Sequence, residues 1–172
     1  GTRCTTEHKG SSMLPGLMMD YPLTLTHFLE RGKAFFPRAE IASRLPDGTM
    51  HRYAYADYYE RTCQLAHALL RLGVKPGDRV ATLAWNGHRH LEAYFAVPGI
   101  GAVLHTLNLR LHPSELSYIA THANDKILIV DRSLLPLLGR FRDEVKSLER
   151  VIVLPDGGAG DLARKDLDYE AL

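Results

Sequence analysis

Cysteine is scarce in this chain: Cys4 and Cys63 are all that its 172 residues contain. Their wide separation fits neither a metal-ligand spacing nor a redox pair, and two are too few for a disulfide scaffold, so the expected compartment is a reducing cytoplasm. No basic block is present either. Lys plus Arg number 21 against 20 Asp plus Glu, for a net charge of +1, and the counterion release that drives nucleic-acid binding has no concentrated source. Nucleic acid is not an expected partner. The opening GTRCTTEHKGSS is polar and small and lacks the charged start and apolar run of a secretion leader. A membrane span is also missing. Ala93 to Leu109 carries no Asp, Glu, Lys or Arg, but Pro98, Gly99, Gly101, His105 and Asn108 interrupt it, and a spanning helix needs roughly 20 mainly apolar residues.

What the chain has is 45% apolar residues, enough at this length for one core and one domain. Residues 1–12 are expected to be disordered or an appended leader, with Met13 a plausible native start. Leu14, Leu17, Met18 and Met19 then form either a partner-docking arm or a segment folded on its own domain. A helix is expected from Leu25 to Phe35, capped by Thr24 or Thr26, with Phe28, Leu29, Gly32 and Phe36 on one face and Pro37 as its stop. Ile41–Leu45 and His51–Tyr55 flank Pro46-Asp47-Gly48-Thr49, where Asp-Gly supplies the positive backbone angles of a tight hairpin turn. From Asp57 to Leu72, Thr62, Leu65, Ala66, Leu69 and Leu70 recur at helical spacing, and Gly73 closes the helix as a left-handed cap. Lys75-Pro76-Gly77-Asp78 places proline and glycine at the centre of a type II turn feeding the next strand.

Four short apolar runs follow: Val80–Trp85, Ala102–Leu107, Ile127–Val130 and Val151–Leu154. Their near-continuous hydrophobicity predicts parallel strands covered on both faces. The intervening helices fall at His88–Val97, Pro113–Ala123 and Ser133–Val145. His112-Pro113-Ser114-Glu115 is a good start signal, with proline in the first turn and a carboxylate near the positive helix end. The fold class is α/β: a β-hairpin plus a mostly parallel sheet flanked by helices.

Candidate chemistry is thin. Gly158-x-Gly160-x-x-Ala163 formally matches a dinucleotide fingerprint, but Asp156 and Asp161 would set negative charge beside the phosphates, and a flexible surface loop is the expected reading. Gly99-x-Gly101 has Leu104 at the third glycine position. His88, Arg89 and His90 open a helix at the carboxyl end of a strand, where open sheets place ligands. Two histidines two apart point about 200° apart on a helix, so an exposed helix start is expected rather than a metal site. His105 is expected to be a hydrogen-bonded core histidine and Cys63 a small packing residue. Tyr53, Tyr55, Tyr58 and Tyr59 read as aromatic packing of hairpin on helix rather than a platform for bases.

Three blocks carry a resemblance: Tyr53-Ala54-Tyr55-Ala56-Asp57-Tyr58, Gly73-Val74-Lys75-Pro76-Gly77-Asp78-Arg79-Val80, and Gly99-Ile100-Gly101-Ala102-Val103-Leu104-His105-Thr106-Leu107-Asn108. They resemble the first blocks of the adenylate-forming superfamily. Arg89-His90-Leu91-Glu92-Ala93-Tyr94-Phe95-Ala96-Val97-Pro98 is most similar to bacterial medium- and long-chain fatty acyl-CoA ligases. The likeness runs from Met13 to Leu172 and rests on the order and spacing of the blocks. One departure is visible: Asn108-Leu109-Arg110-Leu111 stands where relatives commonly carry Asn-Pro-Arg-Leu, and losing that proline loosens the loop.

The resemblance implies a fatty acid substrate and a reaction using ATP, Mg and CoA, in which a carboxylate is adenylated and then passed to the CoA thiol. It places the phosphate loop, the adenine motif and the catalytic lysine downstream of Leu172. No catalytic or metal-binding residue is therefore assigned here, and the 172 residues alone are expected to be inactive scaffold. Asn108, Leu109 and Arg110 are placed near the pantetheine tunnel, with Arg110 able to approach an anion. A homodimer through the N-terminal arm is possible on this reading. A stand-alone interaction module of the same fold, an aryl-CoA ligase and an amino-acid-activating domain stay open as alternatives.

Overall fold

The computed structural model describes residues 21–158, 163 and 165–172. The leader, the Met13 start, the apolar arm Leu14–Met19 and most of the Gly158–Ala163 loop lie outside the described residues.

Helix α1 (Thr26–Phe35) packs only Leu29 fully. Neither threonine caps it, since Leu25 at the N-cap is already helical and no side chain bonds the free amides. Phe28 and Phe36 are 70% and 56% exposed, so the inward face is Leu29 and Gly32. A Cβ at Gly32 would lie 3.2 Å from the Tyr55 ring, and that close approach explains the glycine. Strands β1 (Glu40–Arg44) and β2 (Met50–Ala54) form the antiparallel hairpin, with Arg44 opposite Met50. Of the Asp-Gly pair only Gly48 has positive φ. Asp47 instead accepts from the Thr49 amide and hydroxyl, and the Leu45 amide bonds back to Thr49. The connection is thus wider than a two-residue turn.

Helix α2 (Tyr55–Arg71) buries Tyr58, Thr62, Leu65, Ala68 and Leu69. Leu70 is 48% exposed, because the face is centred on the 58, 62, 65, 69 series and Leu70 falls one step outside it. Gly73, at φ 86°, ends the helix as expected: its amide bonds Leu70 and the Val74 amide bonds Leu69, the paired pattern of a Schellman cap. The Lys75–Asp78 turn closes through an Asp78 amide bond to Lys75 at 3.0 Å, with Gly77 at φ 86°.

The remaining elements are β3 (Arg79–Leu83), α3 (His88–Gly99), β4 (Val103–Thr106), α4 (Pro113–Ala123), β5 (Asp125–Asp131), α5 (Leu135–Leu138), β6 (Arg150–Leu154) and β7 (Leu167–Asp168). All five sheet strands run parallel in the order β4-β3-β5-β6-β7. Successive side chains of a strand point to opposite faces, which explains the unbroken apolar runs. Val80, Ile127, Ile129, Ile152 and Leu154 join α2 and α3 in one core. Ala81, Leu83, Leu128, Val130, Val151 and Val153 join α4 and α5 in another. Strand β4 is the exception: it is an edge, and Val103 is 50% exposed. The segment expected as one helix over 133–145 is broken into two 3₁₀ turns around the four-residue α5. Glycine is a poor helix interior residue, and Gly139 ends α5 early. The chain then turns to bury Phe141 and Val145.

Candidate functional site

The strand order fixes where a ligand would sit. From β3 the chain crosses to β4 on one side and returns past it to β5 on the other, so β3 and β5 flank a topological switch point, and open α/β sheets bind ligands outside the carboxyl ends of such strands. A cavity of about 290 Å³ opens there, lined by Trp85, Gly87, His88, Asp131, Asp156 and Arg44 among others. Trp85 is held at both ends. Its amide donates to Asp131 Oδ2 at 2.5 Å and its indole Nε1 to Ser133 Oγ at 3.2 Å. Burial, reinforced by the neighbouring Asp156 charge, pushes the Asp131 carboxyl up to about 6.

His88 and His90 are not an exposed helix start. They are 3% and 7% exposed, because the hairpin covers the beginning of α3: the His88 amide donates to Ser43 Oγ at 3.1 Å, and its ring stacks on His51 with centroids 3.9 Å apart. Burial and the adjacent Arg89 charge depress His88 to about 3, so it is neutral near pH 7. Its Nδ1 and the His51 Nε2 are buried without a partner among the described residues. His90 turns the other way, with Nε2 3.0 Å from Thr82 Oγ1, and burial lowers its pKa too. Among the described residues no group of three His, Cys, Asp or Glu side chains is placed to hold a metal.

A second polar centre was not legible as such. Glu92 is fully buried on α3. Its Oε1 accepts from Tyr53 at 3.2 Å and Arg61 Nε at 2.7 Å, and its Oε2 from Arg61 Nη2 at 3.3 Å and Tyr169 at 2.5 Å. Arg61 and Arg89 both also grip Glu170. Burial works against the Glu170 charge, yet the bonds and charges of the two arginines outweigh it and hold its pKa down. Burial and the Glu92 charge raise Tyr53 and Tyr169, keeping both hydroxyls as donors. Four elements, β2, α2, α3 and the turn at Tyr169, meet at one carboxylate. One signal existed: with Ala93, Ala96 and Val97, Glu92 lies on the apolar stripe of α3, where an acid requires partners.

The other candidates fall elsewhere. His105 is partly exposed at the β4 edge rather than in the core, with Nδ1 2.9 Å from both oxygens of Asp125. Burial raises the Asp125 carboxyl, against the pull of His105. The tyrosines pack edge to face as expected, Tyr53–Tyr58 at 6.1 Å and Tyr55–Tyr58 at 6.3 Å. Cys63 is partly buried on α2 with a free thiol, lining a small gap beside Tyr59 and Phe95. Asn108, Leu109 and Arg110 lie in the β4–α4 connection and not on the switch-point cavity. Asn108 Oδ1 accepts from the Arg110 amide at 3.0 Å, a local turn that does without the relatives' proline. Leu109 leans on the second core and Arg110 is exposed. At the fingerprint, a Cβ on Gly158 would stand 2.5 Å from the Ser133 amide. That glycine answers to the close approach of the Ser133 backbone, and Asp156 accepts from both amides.

Comparison with known proteins adds sequence and fold likeness. The profile of the AMP-binding enzyme family matches residues 30–170. Over 150 residues the chain is 51% identical to a long-chain fatty acid–CoA ligase of Thermus thermophilus, covering 87% of this chain and 28% of that protein. A medium-chain fatty acid–CoA ligase of Ectopseudomonas oleovorans is 33% identical over 139 residues, 81% of this chain and 26% of the relative. The crystal structure of an anthranilate–CoA ligase bound to anthranoyl-AMP superposes with a TM-score of 0.70 at 27% identity, over 81% of this chain and 26% of that one. The chain thus spans about a quarter of the length of the curated relatives it matches.

Proposed function

We propose, on the premise that the chain belongs to the AMP-binding enzyme family, that it is the amino-terminal part of an ATP-dependent fatty acyl-CoA ligase. The observation that carries this is the 51% identity to the long-chain ligase across 87% of the chain. In the proposed reaction a fatty acid carboxylate oxygen attacks the α-phosphorus of ATP, forming acyl-adenylate as pyrophosphate leaves. The CoA thiol sulfur then attacks the acyl carbon, AMP leaves, and the thiol proton passes to solvent. Such chemistry needs charge stabilisation on the phosphates from donors positioned beforehand. The described residues offer no triphosphate cradle, so no step is routed through them.

The role assigned to this chain is scaffold. Its parallel sheet, covered by helices on both faces, supplies a rigid wall for the acyl and CoA sites. The exposed Arg110, on a loop stiffened by Asn108, would meet an anionic group of CoA, with Leu109 anchoring the loop. ATP, Mg and CoA belong to the parent protein in this reading, as does any dimer formed through residues 13–19. No helix among the described residues is long and apolar enough to cross a membrane; the proposed cytoplasmic setting rests on the scarcity of cysteine. An aryl acid is the second substrate class, favoured by the anthranilate ligase likeness, but 27% identity there ranks below 51% to the fatty acid enzyme.

The test is pyrophosphate release from ATP, Mg and CoA with medium-chain, long-chain and aryl acids, run on this chain and on the longer protein. Turnover of fatty acids by the longer protein alone is expected. Turnover by the 172 residues, or a preference for aryl acids, refutes the reading. In the longer protein Arg110→Ala should raise KM for CoA and leave pyrophosphate release in the adenylation half-reaction unchanged.

A further inference from the structure

The switch-point cavity presents three features that neither the packing nor the ligase reading uses. Trp85 is 49% exposed although both its backbone amide and its indole nitrogen are tied down, so it offers an immobile flat apolar face. Asp131 is 7% exposed. Its Oδ2 is taken by the Trp85 amide, while its Oδ1 has no partner among the described residues. Arg44, at the end of β1, lines the same cavity from the rim, exposed and with no partner among those residues. Leu45 and Pro46 complete an apolar flank.

The charges select the ligand. Arg89 also lines the cavity, but it is committed to Glu170 at 2.6 Å and to the Pro155 carbonyl at 3.0 Å. What remains open is one guanidinium on the rim and one carboxylate oxygen inside, with the Asp156 charge nearby. A phosphate dianion would meet two carboxylates against one free cation, which is repulsive on balance. A divalent cation would find two carboxylates and no third ligand. A molecule that carries both an ammonium and a carboxylate satisfies both open groups. At about 290 Å³ the space sits at the small end of ligand clefts, roughly 300–1,000 Å³, which suits one ring rather than a nucleotide.

We propose that this cavity binds a small aromatic amine-bearing carboxylic acid of the α-amino acid kind, its ring on Trp85, its ammonium on Asp131 Oδ1 and its carboxylate on Arg44. The positive end of α3, which starts beside the cavity, reinforces the carboxylate position.

Trp85 is the chain's single tryptophan, so its emission reports on this cavity alone. The experiment titrates the 172-residue chain with L-phenylalanine, with hydrocinnamate, which lacks the amine, and with phenethylamine, which lacks the carboxylate. L-phenylalanine should give a saturable change in emission, with each half-molecule about tenfold weaker, the effect of ~1.4 kcal/mol. Arg44→Ala, an exposed and fold-neutral change, should weaken L-phenylalanine and hydrocinnamate and spare phenethylamine. Asp131→Asn, which keeps an acceptor for the Trp85 amide, should weaken L-phenylalanine and phenethylamine and spare hydrocinnamate. No saturable response to L-phenylalanine, or half-molecules that bind as well as the whole, or variants that fail to split the probes this way, overturns the proposal. The assay contains neither ATP nor CoA, so its failure leaves the ligase reading untouched.

Discussion

Replacing Glu92 by alanine should be among the most damaging single changes this chain can suffer. The carboxylate is fully buried and takes four hydrogen bonds, two from Arg61 and one each from Tyr53 and Tyr169. Its removal strands two hydroxyls, each a buried donor costing about 1–3 kcal/mol when unsatisfied. Arg61 is only partly stranded, since Glu170 still reaches it at 3.1 Å. The expected loss is about 3–5 kcal/mol, the range for breaking a buried pair, against a total stability of ~5–15 kcal/mol for a domain. Glu92→Gln keeps shape and an acceptor and should lose roughly half as much. Tyr169→Phe removes one bond to a charged acceptor, about 1.5–3 kcal/mol. Urea unfolding followed by circular dichroism measures each, with an unchanged slope required for a clean comparison. The double change with Arg61→Met should fall well short of additivity, because the two side chains share one contact. A loss below ~1 kcal/mol for Glu92→Ala, or strict additivity with Arg61→Met, would refute the claim that this carboxylate holds four segments together.

Three further outcomes are expected. His88 is neutral when folded, with a pKa near 3 against an ordinary 6.5, so the unfolded chain binds the extra proton; its contribution is whole above pH ~6.5 and is lost as pH falls towards ~3, by roughly 5 kcal/mol. Asp131, raised to about 6 from 3.8, runs the other way, its burial penalty being relieved as pH falls from ~6 to ~4; thermal melts across this range should therefore show a steeper acid loss in Asp131→Asn and a flatter one in His88→Gln. Leu69→Ala should cost about 2–5 kcal/mol and Leu70→Ala less than ~0.5 kcal/mol, a contrast set by 0% and 48% exposure and checked by denaturant midpoints. Gly158→Ala should destabilise by more than ~1 kcal/mol, because the new Cβ meets the Ser133 backbone at 2.5 Å and overpacking costs about 1–3 kcal/mol; Gly73→Ala should lose ~1 kcal/mol by forcing a side chain to φ 86°.

Where the physics is local, the chain can be read from its letters. Gly73 and the Lys75–Asp78 turn end one element and begin the next as composition dictates, and α4 starts at Pro113 as expected, where the structure adds a capping box through Glu115. The apolar runs gave the parallel strands because both faces of β5 and β6 are covered. Legibility fails where partners come from afar. Leu70 carries the same hydrophobic letter as Leu69, and only the position of the sheet beneath α2 tells them apart. His88 looked exposed because nothing in its neighbourhood announces that the hairpin folds over it. The two-residue β7 has no signal of its own and forms only by pairing with β6, and the bond from Tyr169 to Glu92 bridges 77 positions. The switch-point cavity could be placed from the strand order, but not its contents: Asp131 and Trp85 meet across 46 residues.

Glu92 also sets an order of events during synthesis. The acid, Arg61 and Tyr53 leave the ribosome long before Tyr169 and Glu170 do, so for the interval of some 77 residues the nascent helix pair carries a negative group still short of its last donor. Translation runs at ~5–20 residues per second, which makes that wait one of several seconds. Until that last turn arrives, Oε2 of the buried acid has only its Arg61 bond.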